Sequence, residues 1–367
     1  MVVALEGFVS AWAFVKLFVV GRPLVVKLGT RLVVDASGEV RSDLVHARAR
    51  EVGRLIRAGE PVCVVSSGAI ALGLPRLGLK RRPQAVARLQ AASALGQARL
   101  QAAWDEALGK EGVPAAQILL AAGDVADRAA YVNARNAFTE LFRLGAVPVV
   151  NENDATATDE ITFGDNDALA AQVAVLVRAR LLILLTEVEG VYSRAPGTPG
   201  AELIFEGALA ADAEIGAGTD LGRGGMGSKV VAAQMASAAG IPTVIAGGLG
   251  DDVLGPILDG EPRGTRFTPG DRAESAFKLW LRLGKPVAGR VHVDDGARRA
   301  LVEQGASLLA VGVVRCEGRF EPGDAVELVG PDGVVLGKGI AGAPADEIAR
   351  RPRGLEAVHR DRLVLQP

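Results

Sequence analysis

Short apolar runs rich in Val, Ile and Leu alternate along this chain with longer segments whose apolar positions recur at helical spacing. A strand buried on both faces is apolar throughout, whereas a helix lying on a sheet needs only one apolar stripe. The alternation therefore predicts an α/β fold, a mainly parallel open sheet sandwiched by helices. Strands are expected at Leu24–Leu28, Val62–Val65, Gln117–Leu120, Val147–Val150, Leu181–Leu185 and Thr243–Ala246. Ser42 is placed to cap a helix that runs to about Ala58 and stops at Gly59 and Pro61. Further helices, rich in Ala and Leu, fit Pro83–Lys110, Tyr131–Leu144, Asp167–Ala179 and Lys229–Ala239.

The pattern changes after Gly264. From Gly284 the segments are short and β-rich (GRVHV, LLAVGVV, GDAVELV, GVVLGKGI, DRLVL), parted by Gly and Pro turns, with one helix near Ala297–Gln304. The expected organisation is a first domain over 23–270, a linker over 271–283 and a small β-rich, barrel-like domain over 284–367. Residues 1–22 are apolar, but Glu6 precedes the apolar stretch and Lys16 interrupts it. That suits neither the basic start of a secretory signal nor a span of about 20 apolar residues. An N-terminal extension, or a start site assigned too early, ahead of a domain that opens at Pro23 of a cytoplasmic protein with no membrane partner is the expectation.

Composition narrows the chemistry. The 367 residues are 49% hydrophobic and 23% charged, with a formal net charge of -2, which excludes a disordered or collagen-like chain. So balanced a charge provides no whole-molecule field for nucleic acid or anionic membrane. Cys63 and Cys316 are too few for a disulfide framework or a zinc cluster, and His46, His292 and His359 are isolated. The work falls to Lys, Asp, Asn and backbone amides. With eight Lys against 33 Arg, a Lys in a glycine-rich loop stands out.

Ligands of open α/β sheets collect outside the carboxyl ends of the strands, and five loops there carry candidate chemistry. VVKLGT ends the first strand with Lys27 and Gly29, a mobile cation beside a backbone that phosphate can approach. In VVSSGAIALG, Ser66, Ser67, Gly68 and Ala69 lead from a strand into a helix, where amides and hydroxyls can meet an anion or simply form a capped turn. NENDATATDEITFGDND, from Asn151 to Asp167, packs six carboxylates and three Asn into 17 residues without a Lys or Arg. Such charge calls for amino groups, metal ions or catalytic lysines to meet it, and its spacing is not that of a calcium loop. LLILLTEVEGVY ends an apolar strand on Thr186 and Glu187. GRGGMGSK, from Gly222 to Lys229, offers amides and a Lys at a helix start without the spacing of a Walker A or Rossmann loop. Each loop alone has an ordinary structural reading. Together they place two lysines, two donor-rich turns and an acidic loop on one sheet edge, a set suited to phosphoryl transfer, which relies on positioning and charge stabilisation.

These motifs, with DRAAYVNARN, stand in the order and spacing of the amino acid kinase family, and the chain closely resembles its bacterial members that phosphorylate glutamate. The resemblance runs from Leu24 to the C-terminus, where the tail resembles a PUA domain. It implies ATP-dependent phosphorylation of the side-chain carboxylate of L-glutamate to L-glutamyl 5-phosphate, the first step toward proline, with Mg²⁺ carried mainly by the ATP phosphates. It implies catalytic roles for Lys27, Lys229, Asp165 and Asp167, and substrate contacts for Ser67, Gly68, Asn151, Asp154 and Asn166. Asp154 would meet the α-ammonium by charge complementarity. Lys27, Gly29, Thr186, Glu187 and the run Arg223, Gly224, Gly225, Met226, Gly227, Ser228, Lys229 would form the ATP site. Feedback inhibition by proline and assembly into a dimer or tetramer are further implications. Three departures stand out: Glu187 where the family commonly has Asp, Arg223 where Thr is commoner, and residues 1–22, which have no counterpart. The rivals are an acetylglutamate-type kinase of the same fold and an RNA-binding protein with an inactive kinase domain. With 12 basic and 12 acidic residues from Gly284 onward, the tail makes a poor footprint for RNA.

Overall fold

The computed structural model describes residues 21–79, 81–121, 124, 128–155, 166–210, 225–269, 278, 281–282, 285 and 287–365. Expectations placed on 1–20, on most of the linker 271–283, and on Asp165, Arg223 and Gly224 lie outside these residues.

The first unit runs β1 (Leu24–Leu28), α1 (Thr30–Val33), α2 (Ser42–Arg57), β2 (Val62–Ser66), α3 (Ala69–Gly73), α4 (Val86–Gly109), β3 (Ala115–Leu120), α5 (Arg128–Arg143), β4 (Val147–Glu152), α6 (Asn166–Leu176) and β5 (Leu181–Thr186). It continues with a two-stranded hairpin, β6 (Val191–Tyr192) and β7 (Leu203–Ile204). Then follow α7 (Gly207–Ala210), α8 (Met226–Ala238), β8 (Thr243–Gly247), α9 (Leu254–Leu258) and β9 (Thr265–Phe267). The main sheet has the order β3-β4-β2-β1-β5-β8-β9, parallel except for β9, a three-residue antiparallel edge strand too short for a hydrophobic period to announce. All six expected strands are present. The expected cap on α2 is not: Ser42 is the first helical residue, Arg41 holds the cap position, and no side chain caps that end.

Strand alternation divides the core cleanly. Leu24, Val26 and Leu28 of β1 join Val62 and Val64 of β2 and Ile183 and Leu185 of β5 in a cluster covered by α2 and α4, with Trp104 at its heart. Val25, Cys63, Val65, Leu182 and Leu184 point the other way, against α5, α6 and α8. Burial pushes the Cys63 thiol far above its ordinary range, which leaves it an inert core residue. By the same alternation Lys27 follows Val25 onto the α6 and α8 face, and its ammonium is delivered among the helix starts of that layer.

The tail consists of β10 (Val287–Val293), α10 (Asp295–Gln304), β11 (Leu308–Leu309), β12 (Val313–Gly318), β13 (Ala325–Val329), β14 (Val335–Ala341), α11 (Ala345–Ala349) and β15 (Glu356–Leu365). Its strands form a curled six-stranded sheet, β11-β15-β14-β13-β10-β12, with a register shift in every pairing, the device that bends a sheet. The α6 and α8 core continues through Leu281 into Ala325, Ile340 and Val364 of this sheet. Among the described residues no helix is long and apolar enough to cross a membrane.

Candidate active site

The carboxyl ends of β1, β2, β4 and β5 face one another across the middle of the sheet, and the helices that follow begin there. Asp167 is the second residue of α6 and completely buried. Its carboxylate sits in the first turn, where the helix dipole favours an anion. Lys27 Nζ, from the end of β1, donates to Asp167 Oδ1. Lys229 Nζ, from the first turn of α8, donates to Asp167 Oδ2 at 3.0 Å. Ser228 Oγ lies 2.9 Å from both Asp167 Oδ2 and the Gly225 carbonyl, so its one proton is shared between them. Two distant segments are thereby tied to the carboxylate of a third.

The electrostatics follow from this geometry. Burial by itself would raise the Asp167 carboxyl, but Lys27 and then Lys229 outweigh it and hold the group down at about 2. Lys229 is buried within the electropositive first turn of α8, an arrangement that favours an anion between the two ammonium groups. Among the described residues no three His, Cys, Asp or Glu side chains gather into a set able to hold a metal ion.

On the β2 and β4 side, Ser67 donates its backbone N–H to the Leu28 carbonyl at 3.2 Å, which fixes the small-residue turn against the end of β1. Gly68 takes φ +120°, and a Cβ there would stand 2.8 Å from Val34 Cγ2, so only glycine fits. Ser66 is turned inward: Trp104 Nε1 donates to its hydroxyl at 2.9 Å. Asn151, Asp154 and Asn166 are all buried, and the Oδ1 atoms of both Asn residues lack a hydrogen-bond partner among the described residues. Orphaned polar atoms in a native interior mark a place where a polar ligand or water completes the bonding. Asp154 is raised, chiefly by burial, with a hydrogen bond from Ser93 and the charge of Arg82 acting against it.

At the rim, Gly29 donates its N–H to the Leu185 carbonyl at 3.3 Å, and Gly248 donates to the Thr186 carbonyl at 2.8 Å. The loops after β1, β5 and β8 are thus laced together. Glu187 meets Arg31 of α1 at 2.9 Å, an exposed pair on the outer lip. Gly225 caps α8 with its own backbone, followed by Met226, Gly227, Ser228 and Lys229.

The structure thus brings Lys27, Asp167, Ser228 and Lys229 into direct contact. Ser67, Gly68, Asn151, Asp154 and Asn166 stand at the ends of the central strands, and Gly29, Thr186 and Glu187 on the rim. Sequence reasoning missed Ser93, Gln97 and Trp104. All three lie on one stripe of α4, and each bonds a strand-end segment: Ser93 to Asp154, Gln97 Nε2 to the Glu152 carbonyl at 3.1 Å, and Trp104 to Ser66. A spacing of four and then seven along α4 was the available signal, hidden by its Ala-rich surroundings.

Comparison with known proteins agrees with this architecture. The pattern of the amino acid kinase family matches residues 22–247, and that of the PUA domain residues 289–361. A protein named glutamate 5-kinase from Synechococcus sp. (strain JA-3-3Ab) is 42% identical, the match covering 93% of this chain and 98% of the relative. Proteins of the same name from Sphingopyxis alaskensis and Gloeobacter violaceus are 44% and 45% identical, again over 93% of this chain. Among solved structures, the carbamate kinase from Giardia lamblia bound to AMP-PNP superposes with a TM-score of 0.50 at 16% identity. It covers 68% of this chain and 99% of its own, a likeness of fold.

Proposed function

The chain belongs to the amino acid kinase family and, within it, to the glutamate 5-kinases, and from that premise we propose how its buried site does the work. The enzyme transfers a phosphoryl group from ATP to the side-chain carboxylate of L-glutamate, giving L-glutamyl 5-phosphate, the first step of proline biosynthesis. A carboxylate oxygen attacks the γ-phosphorus, the new O–P bond forms as the bond to the β,γ-bridging oxygen breaks, and ADP leaves with that electron pair. A carboxylate is already nucleophilic, so no strong base is needed. The barrier lies in bringing anions together and stabilising the charge that spreads over the transferring group.

The observation that carries this reading is the Lys27–Asp167–Lys229 bridge. Asp167 fixes both ammonium groups before substrate arrives, so no reorganisation is spent when charge develops between them. Asp154 takes the α-ammonium of glutamate, while Ser67, Gly68, Asn151 and Asn166 supply hydrogen bonds around it. Gly29, Thr186, Glu187 and the turn from Arg223 to Lys229 hold the nucleotide. The Asp167 carboxylate is already occupied by Lys27, Lys229 and Ser228, so Mg²⁺ would come with the nucleotide phosphates and would neutralise part of their charge. Asp165 belongs to the same acidic set in this reading. The proposal also includes the division of the chain at 270 and 284, a homo-oligomeric state, feedback by proline and a cytoplasmic location.

The test is glutamyl phosphate formation, trapped as the hydroxamate, with glutamate, acetylglutamate and aspartate supplied separately with ATP and Mg²⁺. Turnover with glutamate alone supports the proposal. Turnover with acetylglutamate instead would keep the lysine bridge and discard the ammonium contact, since acetylation removes that charge.

A further inference from the structure

Asp154 is held from outside its own loop. Its Oδ2 accepts a hydrogen bond from the hydroxyl of Ser93, a side chain 1% exposed in the middle of α4. The same helix is locked to the strand ends at two more points, Gln97 to Glu152 and Trp104 to Ser66, and α3 lies flush on it. A Cβ on Gly73 or Gly96 would come within 1.8 Å of the backbone oxygens of Ala92 and Ala69. Ser93 is therefore a fixed donor on a rigid element, and its target rotates about short side-chain bonds.

We propose that Ser93 is a positioning residue for glutamate. By holding Oδ2 it orients the Asp154 carboxylate, keeps it ionised, and leaves Oδ1 to face the α-ammonium. The inference rests on the assignment of Asp154 to that ammonium. Two observations and one general rule support it. The contact joins two buried groups, and a hydrogen bond to an ionised partner is about twice as strong as a neutral one. A buried carboxylate without such a donor favours its neutral form, which cannot hold an ammonium. Among the described residues the groups acting on Asp154 are Ser93 from α4 and Arg82 from the segment leading into α4, and Arg82 is solvent-exposed. Ser93 is thus the only one of the two in direct contact, and the one whose effect solvent screens least.

The experiment compares wild type, Ser93→Ala and Ser93→Thr in the full chain, measuring kcat and the KM values of glutamate and ATP from pH 5.5 to 8.5. Ser93→Ala is expected to raise the glutamate KM about tenfold at neutral pH, with kcat and the ATP KM within about twofold of wild type. The pH below which glutamate binding fails is expected to move upward, because the carboxyl protonates more readily without its donor. Ser93→Thr keeps the hydroxyl and is expected to restore both readouts. An unchanged glutamate KM and an unmoved acid limb in Ser93→Ala would overturn the role of Ser93, as would a Ser93→Thr enzyme as impaired as Ser93→Ala. Wild-type protein that turns over no glutamate would instead overturn the functional reading, and this inference with it.

Discussion

At the scale of single residues the site is governed by what each charge finds when buried. Lys27, Asp167 and Lys229 were legible in the sequence because each stands where an apolar strand ends or a helix begins. Their meeting on one carboxylate was not, because it depends on which face Lys27 takes. Replacing Lys229 with Ala is expected to lower kcat by about a hundredfold or more while the glutamate KM changes little, since its charge is needed most in the transition state; steady-state kinetics decides this. Asp154→Asn is expected to leave kcat largely intact and raise the glutamate KM. Asp167→Asn leaves two buried ammonium groups without their shared anion and is expected to cost about 3–5 kcal/mol of stability at neutral pH. The sign with pH is fixed by the depressed native value, about 2 against an ordinary 3.8: as pH falls, the unfolded chain binds the proton first. The contribution of Asp167 is therefore present above 3.8 and fades as pH drops toward about 2. Urea denaturation of wild type and Asp167→Asn should converge over that range.

Among the elements, α4 does the most positioning and announced it least. Its length was readable from Ala and Leu, but Gly73 of α3 and Gly96 of α4 look like helix-weakening residues until the two helices are seen lying against each other. Gly96→Ala is expected to cost about 1–3 kcal/mol by forcing the two helices apart, and to raise the glutamate KM as the turn at Ser67 shifts, testable by thermal melts beside kinetics. Glu51 of α2 shows the same limit. It reads as a solvated helix charge, yet it is buried beside Arg48 and accepts the amides of Val253 and Leu254 at 2.7 Å, capping the start of α9. Ser42 failed as a cap for the opposite reason: a local rule offered it, and the chain placed Arg41 there instead. Local chemistry was legible, then, and partners supplied from 200 residues away were not.

For the whole molecule, the apolar core that runs through Leu281 into Ala325, Ile340 and Val364 couples the tail to the catalytic sheet. Calorimetry is expected to show one cooperative transition; two well-separated ones would show the tail to be energetically independent. The change of pattern near Gly284 was readable as a second unit, whereas this shared core was not, since Ile340 and Val364 fit equally well inside a self-contained tail. The separations within the site have one more consequence. Lys27 precedes Asp167 by 140 residues, and Lys229 follows it by 62. A chain leaving the ribosome therefore exposes the first lysine long before its anchor exists, and β1, made first, ends in the middle of the sheet with β5 still to be synthesised. Any product cut short ahead of α8 lacks Lys229 and leaves Asp167 with only one of the two lysines that meet it in the folded chain.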